Sequence, residues 1–148
     1  MDSDLRLSRP VSDADFERYF SLRWQLLRAP WDQPRGSERD ELEADAFHLQ
    51  VQDRNGTLIG IGRLHRIDDT RGQIRYMAVV DAWRGRGVGT ALLQALEQQA
   101  RDWGLEEIRL HARQAAVDFY ARHGYSMVAP SHTLFGSIPH FLMRKPLS

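Results

Sequence analysis

Ile74-Arg75-Tyr76-Met77-Ala78-Val79-Val80 runs through Asp81-Ala82-Trp83 into Arg84-Gly85-Arg86-Gly87-Val88-Gly89-Thr90, and an amphipathic segment follows up to Trp103. An extended apolar run, a glycine-rich turn and a helix, in that order, make a cradle for a pyrophosphate. Gly85, Gly87 and Gly89 open backbone conformations closed to other residues and let a ligand come close to the chain. Successive N–H groups converge there on a helix N-terminus, whose partial positive charge favours an anion. Arg84 and Arg86 add full charges, and a guanidinium can fork onto phosphate oxygens.

Three nucleotide-type readings compete for such a turn. A P-loop closes on Gly-Lys-Ser/Thr, whereas Gly89 is followed by Thr90 and Ala91. A dinucleotide fold sets Gly-x-Gly-x-x-Gly tight against its strand, with an acidic residue closing the next strand. Here Val80 to Arg84 separate Val79 from the glycines, and Glu106 and Glu107 precede the next strand. The third pattern, Arg-x-x-Gly-x-Gly, is filled by Arg84, Gly87 and Gly89. It resembles the acyl-CoA-binding motif of the GNAT family of N-acetyltransferases. Further on, Ala116-Val117-Asp118-Phe119-Tyr120-Ala121-Arg122-His123-Gly124-Tyr125 looks like that family's helix ending in Phe-Tyr, a spacer and Gly-Phe/Tyr. The resemblance is strongest from Ile74 to Tyr125 and covers most of the chain.

A length of 148 residues suits one core, hence a single N-acetyltransferase domain spanning 1–148. With 20 basic and 20 acidic residues the net charge is zero, which gives no electrostatic case for nucleic acid or an anionic membrane. The absence of cysteine excludes disulfides, thiolate metal sites and a cysteine nucleophile. The acidic start and the lack of a long apolar run lead to the expectation of a cytoplasmic protein.

Ser12 or Asp13 can cap a helix running to about Arg28, stopped by Pro30. The breaker-rich stretch from Pro30 to Gly36 reads as a loop, and Ser37 as the cap of a second, short helix rich in Glu and Asp. Phe47, Leu49 and Val51 alternate with polar residues as in a half-buried strand; Asn55-Gly56 turns the chain, and strands follow at Leu58 to Asp68 and Ile74 to Val80. After the cradle, Leu92, Leu93, Leu96, Ala100 and Trp103 mark a helix face ended by Gly104. A strand at Ile108 to Ala112, a helix from Ala115 to His123 and strands at Tyr125 to Ala129 and Ile138 to Lys145 complete the order, with Leu5 to Ser8 as an added first strand.

The resemblance implies an α/β fold with a mixed, mostly antiparallel sheet, splayed at the coenzyme site and flanked by about four helices. It implies acetyl-CoA as co-substrate, no metal, and direct transfer of the acetyl group to a primary amine, on a small molecule or on a peptide or protein. Backbone groups of Met77, Ala78 and Val79 would hold the pantetheine arm, and the turn Arg84, Gly85, Arg86, Gly87, Val88, Gly89 and Thr90 the pyrophosphate. Arg113 sits where many members touch the cofactor, so it either bonds CoA phosphates or points to solvent. Tyr120 would serve the leaving thiolate as general acid.

Ile138-Pro139-His140 resembles a recurring motif of a bacterial subgroup, where His140 is either the catalytic base or a structural histidine. The Glu that members often carry three residues before the Ile is Phe135 here. His65 and His111 are further candidates for a water chain. Trp31 would wall the acceptor site. Arg75 either draws an acceptor carboxylate or is an exposed strand residue. The acidic run Ser37 to Glu43 either steers a cationic amine or is a solvated helix face. A final strand that can reach toward a neighbour admits a homodimer. Two other classes stay open: a non-catalytic CoA or acyl-CoA sensor on the same cradle, and a dinucleotide-binding oxidoreductase.

Overall fold

The computed structural model describes residues 4–147. Seven strands form one sheet: β1 (Arg6–Ser8), β2 (Phe47–Gln52), β3 (Leu58–Arg66), β4 (Arg71–Val79), β5 (Glu107–Arg113), β6 (Ser126–Leu134) and β7 (Ile138–Pro146). Their order is β1-β2-β3-β4-β5-β7-β6. Neighbours are antiparallel except β4 and β5.

The parallel pair decides the shape of the molecule. β4 and β5 are in register only from Arg71↔Glu107 to Gln73↔Arg109. Beyond Gln73 each strand runs on with no ladder partner on that side, so the sheet opens like a V toward the glycine-rich turn.

Three α-helices are present among the described residues: α1 (Asp13–Leu27), α2 (Val88–Asp102) and α3 (Val117–Arg122). Ser12 caps α1 through a reciprocal box, its hydroxyl accepting from the Asp15 amide at 3.0 Å and its amide donating to the Asp15 carboxylate at 3.2 Å. α1 lays Tyr19 and Phe20 on Ile61, on one face of the sheet. α2 buries Val88, Leu92, Leu93, Leu96 and Ala100 on the other face. It comes close because β3 offers glycines there: a Cβ on Gly60 would lie 3.0 Å from Leu92 and Val88, and one on Gly62 would lie 3.0 Å from Leu96.

The second helix expected after Ser37 does not form. Residues 37–38 and 41–42 are turns with irregular backbone between them, followed by one 3₁₀ turn at Glu43–Asp45. The reason lies under them: two wholly buried arginines, Arg23 on α1 and Arg63 on β3, draw the acidic side chains inward. Arg63 forks onto Asp40 at 2.6 and 2.9 Å, and Arg23 meets Glu43 at 2.8 Å. Capturing these two carboxylates costs the helical periodicity but neutralises charges that could not otherwise be buried. The acidic run is therefore not a solvated helix face: Asp40 and Glu43 are spent on buried arginines.

β4 also departs from simple alternation. Ile61 pairs with Ala78 but Arg63 with Arg75, so β4 holds an extra residue. Tyr76 takes it up in a left-handed conformation, φ 58°, rare for a bulky side chain. As a result Ile74 and Met77, three apart, both join the α2-side core, while Ala78 joins the α1 side.

Candidate active site

Two connected hollows occupy the opening between β4 and β5. The larger, about 830 Å³, runs from Met77, Ala78 and Val79 to Arg84, Gly85, Gly87, Val88, Gly89 and Thr90. The inner one, about 360 Å³, reaches from Gln73 and Arg75 to His140. Both volumes lie in the range of small-molecule sites. Leu27, Trp31, Met77, Arg113, Ala116 and Tyr120 line both, so the hollows meet there.

One wall of the larger hollow is the glycine-rich turn. Gly85 and Gly87 have φ of 73° and 85°. The first intrahelical bond of α2 runs from the Ala91 amide to the Gly87 carbonyl at 3.0 Å, and no side chain caps this end. The amides of Val88, Gly89 and Thr90 thus have no acceptor within the helix, the condition for an anion site. At Gly89 a Cβ would come within 3.3 Å of the Phe119 ring. The Thr90 hydroxyl lies 3.1 Å from His123 Nε2, while His123 Nδ1 donates to the Phe119 carbonyl at 2.8 Å. Arg84 pairs with Asp81 at 3.1 Å. Arg86 lies over Trp83, 4.0 Å from its ring centre, and is not part of the wall; Trp83 is.

β4 presents its edge to the same hollow. The Val80 amide donates to Ile59 at 2.9 Å, and Val79 stands opposite Gly60. Antiparallel ladders alternate, so the N–H and C=O of Val79 turn away from β3 into the opening. A thioester arm can add there as a strand would. The residues present therefore fit CoA: unbonded amides and glycines for its phosphates, a free strand edge for its amide-bearing arm.

Tyr120 is buried at the junction, and its hydroxyl bonds no described residue. Burial pushes its pKa up to about 12 against the opposing charge of Arg113, so it holds its proton at neutral pH. His140 lies in the inner hollow, stacked on His132 with ring centres 4.6 Å apart. Its Nδ1 is 2.9 Å from the Ile138 carbonyl, which can only accept, so Nδ1 carries the hydrogen and Nε2 the lone pair. Burial lowers its pKa, the Ile138 bond opposes this, and the charges of His132, Arg113 and Arg28 lower it further. His111 is lowered in the same way, by burial and then by His132, His140 and Arg75; its Nδ1 lies 2.6 Å from Ser131 Oγ.

Of the remaining candidates, Trp31 stands where the two hollows meet, on a 3₁₀ turn (Ala29–Trp31). Arg75 lines the inner hollow, yet Asp40 holds it at 2.8 Å. Arg113 reaches both hollows beside Tyr120. His65 lies elsewhere, its Nδ1 3.1 Å from Arg63 in the buried ion network. Two residues in the inner wall carried no sequence signal, Arg28 and His132. Among the described residues no group of three or more His, Cys, Asp or Glu is placed to hold a metal.

Comparison with known proteins agrees with this geometry. The family model described as Acetyltransferase (GNAT) family matches residues 16–125. The Bacillus subtilis protein YjcF, named as an uncharacterised N-acetyltransferase, is 34% identical over 126 residues, covering 85% of this chain and 89% of its own. An acyl-CoA N-acyltransferase from Pseudomonas aeruginosa superposes with a TM-score of 0.81 at 24% identity, over 96% of this chain and 98% of that one. A GNAT acetyltransferase from Elizabethkingia anophelis with acetyl-CoA bound gives 0.76 at 11% identity, over 99% and 100%. Neither the non-catalytic sensor nor the oxidoreductase finds support in these relatives. The chain belongs to the GNAT family of acetyltransferases and is an acyltransferase.

Proposed function

We propose that this protein transfers the acetyl group of acetyl-CoA directly to a primary amine held in the inner hollow. The observation that carries the reading is the meeting of the two hollows at Tyr120: one side fits a coenzyme arm, the other an acceptor.

Bound acetyl-CoA supplies an activated acyl group, and the chain supplies the rest. The cradle from Arg84 to Thr90 holds the phosphates, and the edge of β4 aligns the arm. An N–H of β4 near Val79 meets the negative charge that builds on the carbonyl oxygen, a role worth about 3 kcal/mol. The amine must attack neutral, yet an ordinary amine is unprotonated only about once in 10³ to 10⁴ molecules at pH 7. His140, neutral and with Nε2 free, accepts that proton. The new C–N bond forms as the C–S bond breaks, and the Tyr120 hydroxyl donates to the departing sulfur. Trp31 walls the acceptor's entry. The motif Ile138-Pro139-His140 fits the bacterial subgroup to which the sequence points.

Tyr120→Phe tests this assignment. With a responsive amine and a free-thiol readout, kcat falls by about 10² to 10⁴ while CoA affinity stays put; an unchanged kcat removes Tyr120 from the chemistry.

A further inference from the structure

We propose that the acceptor is a small amine that also carries an anionic group, and that the Arg28 guanidinium receives that group. The proposal rests on the reading of the inner hollow as the acceptor site and adds the acceptor's chemical class.

The inner hollow is lined by three arginines, Arg28, Arg75 and Arg113, and three histidines, His111, His132 and His140, with no Asp or Glu in its wall. Arg28 is the telling member. It is only 8% exposed, like the fully buried Arg23 and Arg63. Those two have carboxylates at 2.8 and 2.6 Å. Arg28 has no carboxylate within 4.0 Å among the described residues. The Glu38 carboxylate acts on it only through space, being turned to the Gly36 amide at 2.8 Å and to Arg39 at 3.4 Å.

Backbone carbonyls take part of the guanidinium: Nε donates to Ser37 at 3.1 Å and Nη1 to Leu27 at 3.0 Å. Its Nη2 has no hydrogen-bond partner among the described residues. The rings of Tyr76 and Phe135 lie 5.7 and 5.4 Å away and keep the group in place. A buried cation without a counter-charge, on the wall of a hollow, is a binding site for an anion. Carboxylate and phosphate monoester share the planar or forked acceptor geometry that a guanidinium matches.

The same field helps the reaction. The Arg28 and Arg113 guanidinium groups in the wall disfavour a further positive charge, so an amine drawn in by its anionic end is pushed toward its neutral, nucleophilic form. A polyamine would meet the same field as repulsion, which sets specificity by exclusion.

The test is calorimetry on the wild-type protein saturated with CoA, titrated with β-alanine, phosphoethanolamine, β-alaninamide and 1,3-diaminopropane. The proposal expects β-alanine or phosphoethanolamine to bind at least about tenfold more tightly than the amide and the diamine; which of the two binds identifies the anion. Arg28→Met should weaken the anionic ligand by about 30-fold or more while the amide's affinity and CoA affinity hold. Equal affinity for the amide or diamine, binding of none of the four, or a preference that survives Arg28→Met overturns it. Should the variant not fold, the wild-type comparison decides alone. Anion-selective binding without thiol release from acetyl-CoA would instead refute acetyl transfer and leave the anion site standing.

Discussion

His140 shows how a single side chain acquires a role from its surroundings. The Ile138 carbonyl fixes its tautomer, and burial with three nearby cationic or titratable groups keeps it neutral. A base must be neutral to work, so activity is present above its pKa and lost below it. We predict that kcat against pH falls on the acid side with an inflection below the ordinary histidine value of about 6.5. His140→Gln should lower the plateau and abolish that inflection; a limb that persists unchanged assigns the base elsewhere. The place of Tyr120 on the helix before Gly124-Tyr125 was legible in the sequence because that spacing is local. Arg28 and Tyr76 were not. A lone arginine before Ala29-Pro30 looks like any helix-end cation, and its burial is decided by the loop at Ser37 that folds over it and by the rings of Tyr76 and Phe135, both distant in sequence. The left-handed turn at Tyr76 has no signature at all in Arg75-Tyr76-Met77, since it answers to the register of β3.

At the scale of elements, the coenzyme site depends on how closely α2 approaches the sheet. Gly60 and Gly62 leave room for Val88, Leu92 and Leu96, and Val88 is the first residue of the helix that carries the cradle. Gly60→Val is predicted to destabilise the fold by about 1 to 3 kcal/mol through overpacking and to weaken CoA binding by shifting the start of α2. Urea midpoints together with CoA titration check this; a stable variant with unaltered CoA affinity would show that the close approach is immaterial. The strands, the cradle helix and the helix before Gly124 follow from periodicity and glycine punctuation, and the structure has them. The segment after Ser37 misled for a physical reason: a serine cap followed by Glu and Asp favours a helix locally, but Arg23 and Arg63 draw Glu43 and Asp40 inward instead.

In the whole molecule, that buried ion network joins α1, β3 and the chain between them behind the acceptor hollow. Desolvation raises the pKa of Asp40, but the hydrogen bonds from Arg63 and Leu42 and the charges of Arg63 and Arg75 outweigh it and hold the carboxyl well below its usual range. A depressed folded pKa means stability that is fully present above the unfolded value, about 3.9, and lost as pH falls toward the folded one. Asp40→Asn is predicted to lower the urea midpoint at pH 7 and to flatten its decline in acid; a parallel acid decline in both proteins would show that Asp40 is not the group responsible. The sheet's opening was legible only through the family resemblance, because the loss of register after Gln73 is a property of two strands distant in sequence. What unites the fold and the reaction is the set of unbonded amides at the start of α2. Calorimetric titration of CoA into the wild-type protein and into Gly87→Glu addresses them directly: the account predicts saturable binding to the first and none to the second, since the carboxylate enters the phosphate cradle, whereas equal affinity for both would contradict it.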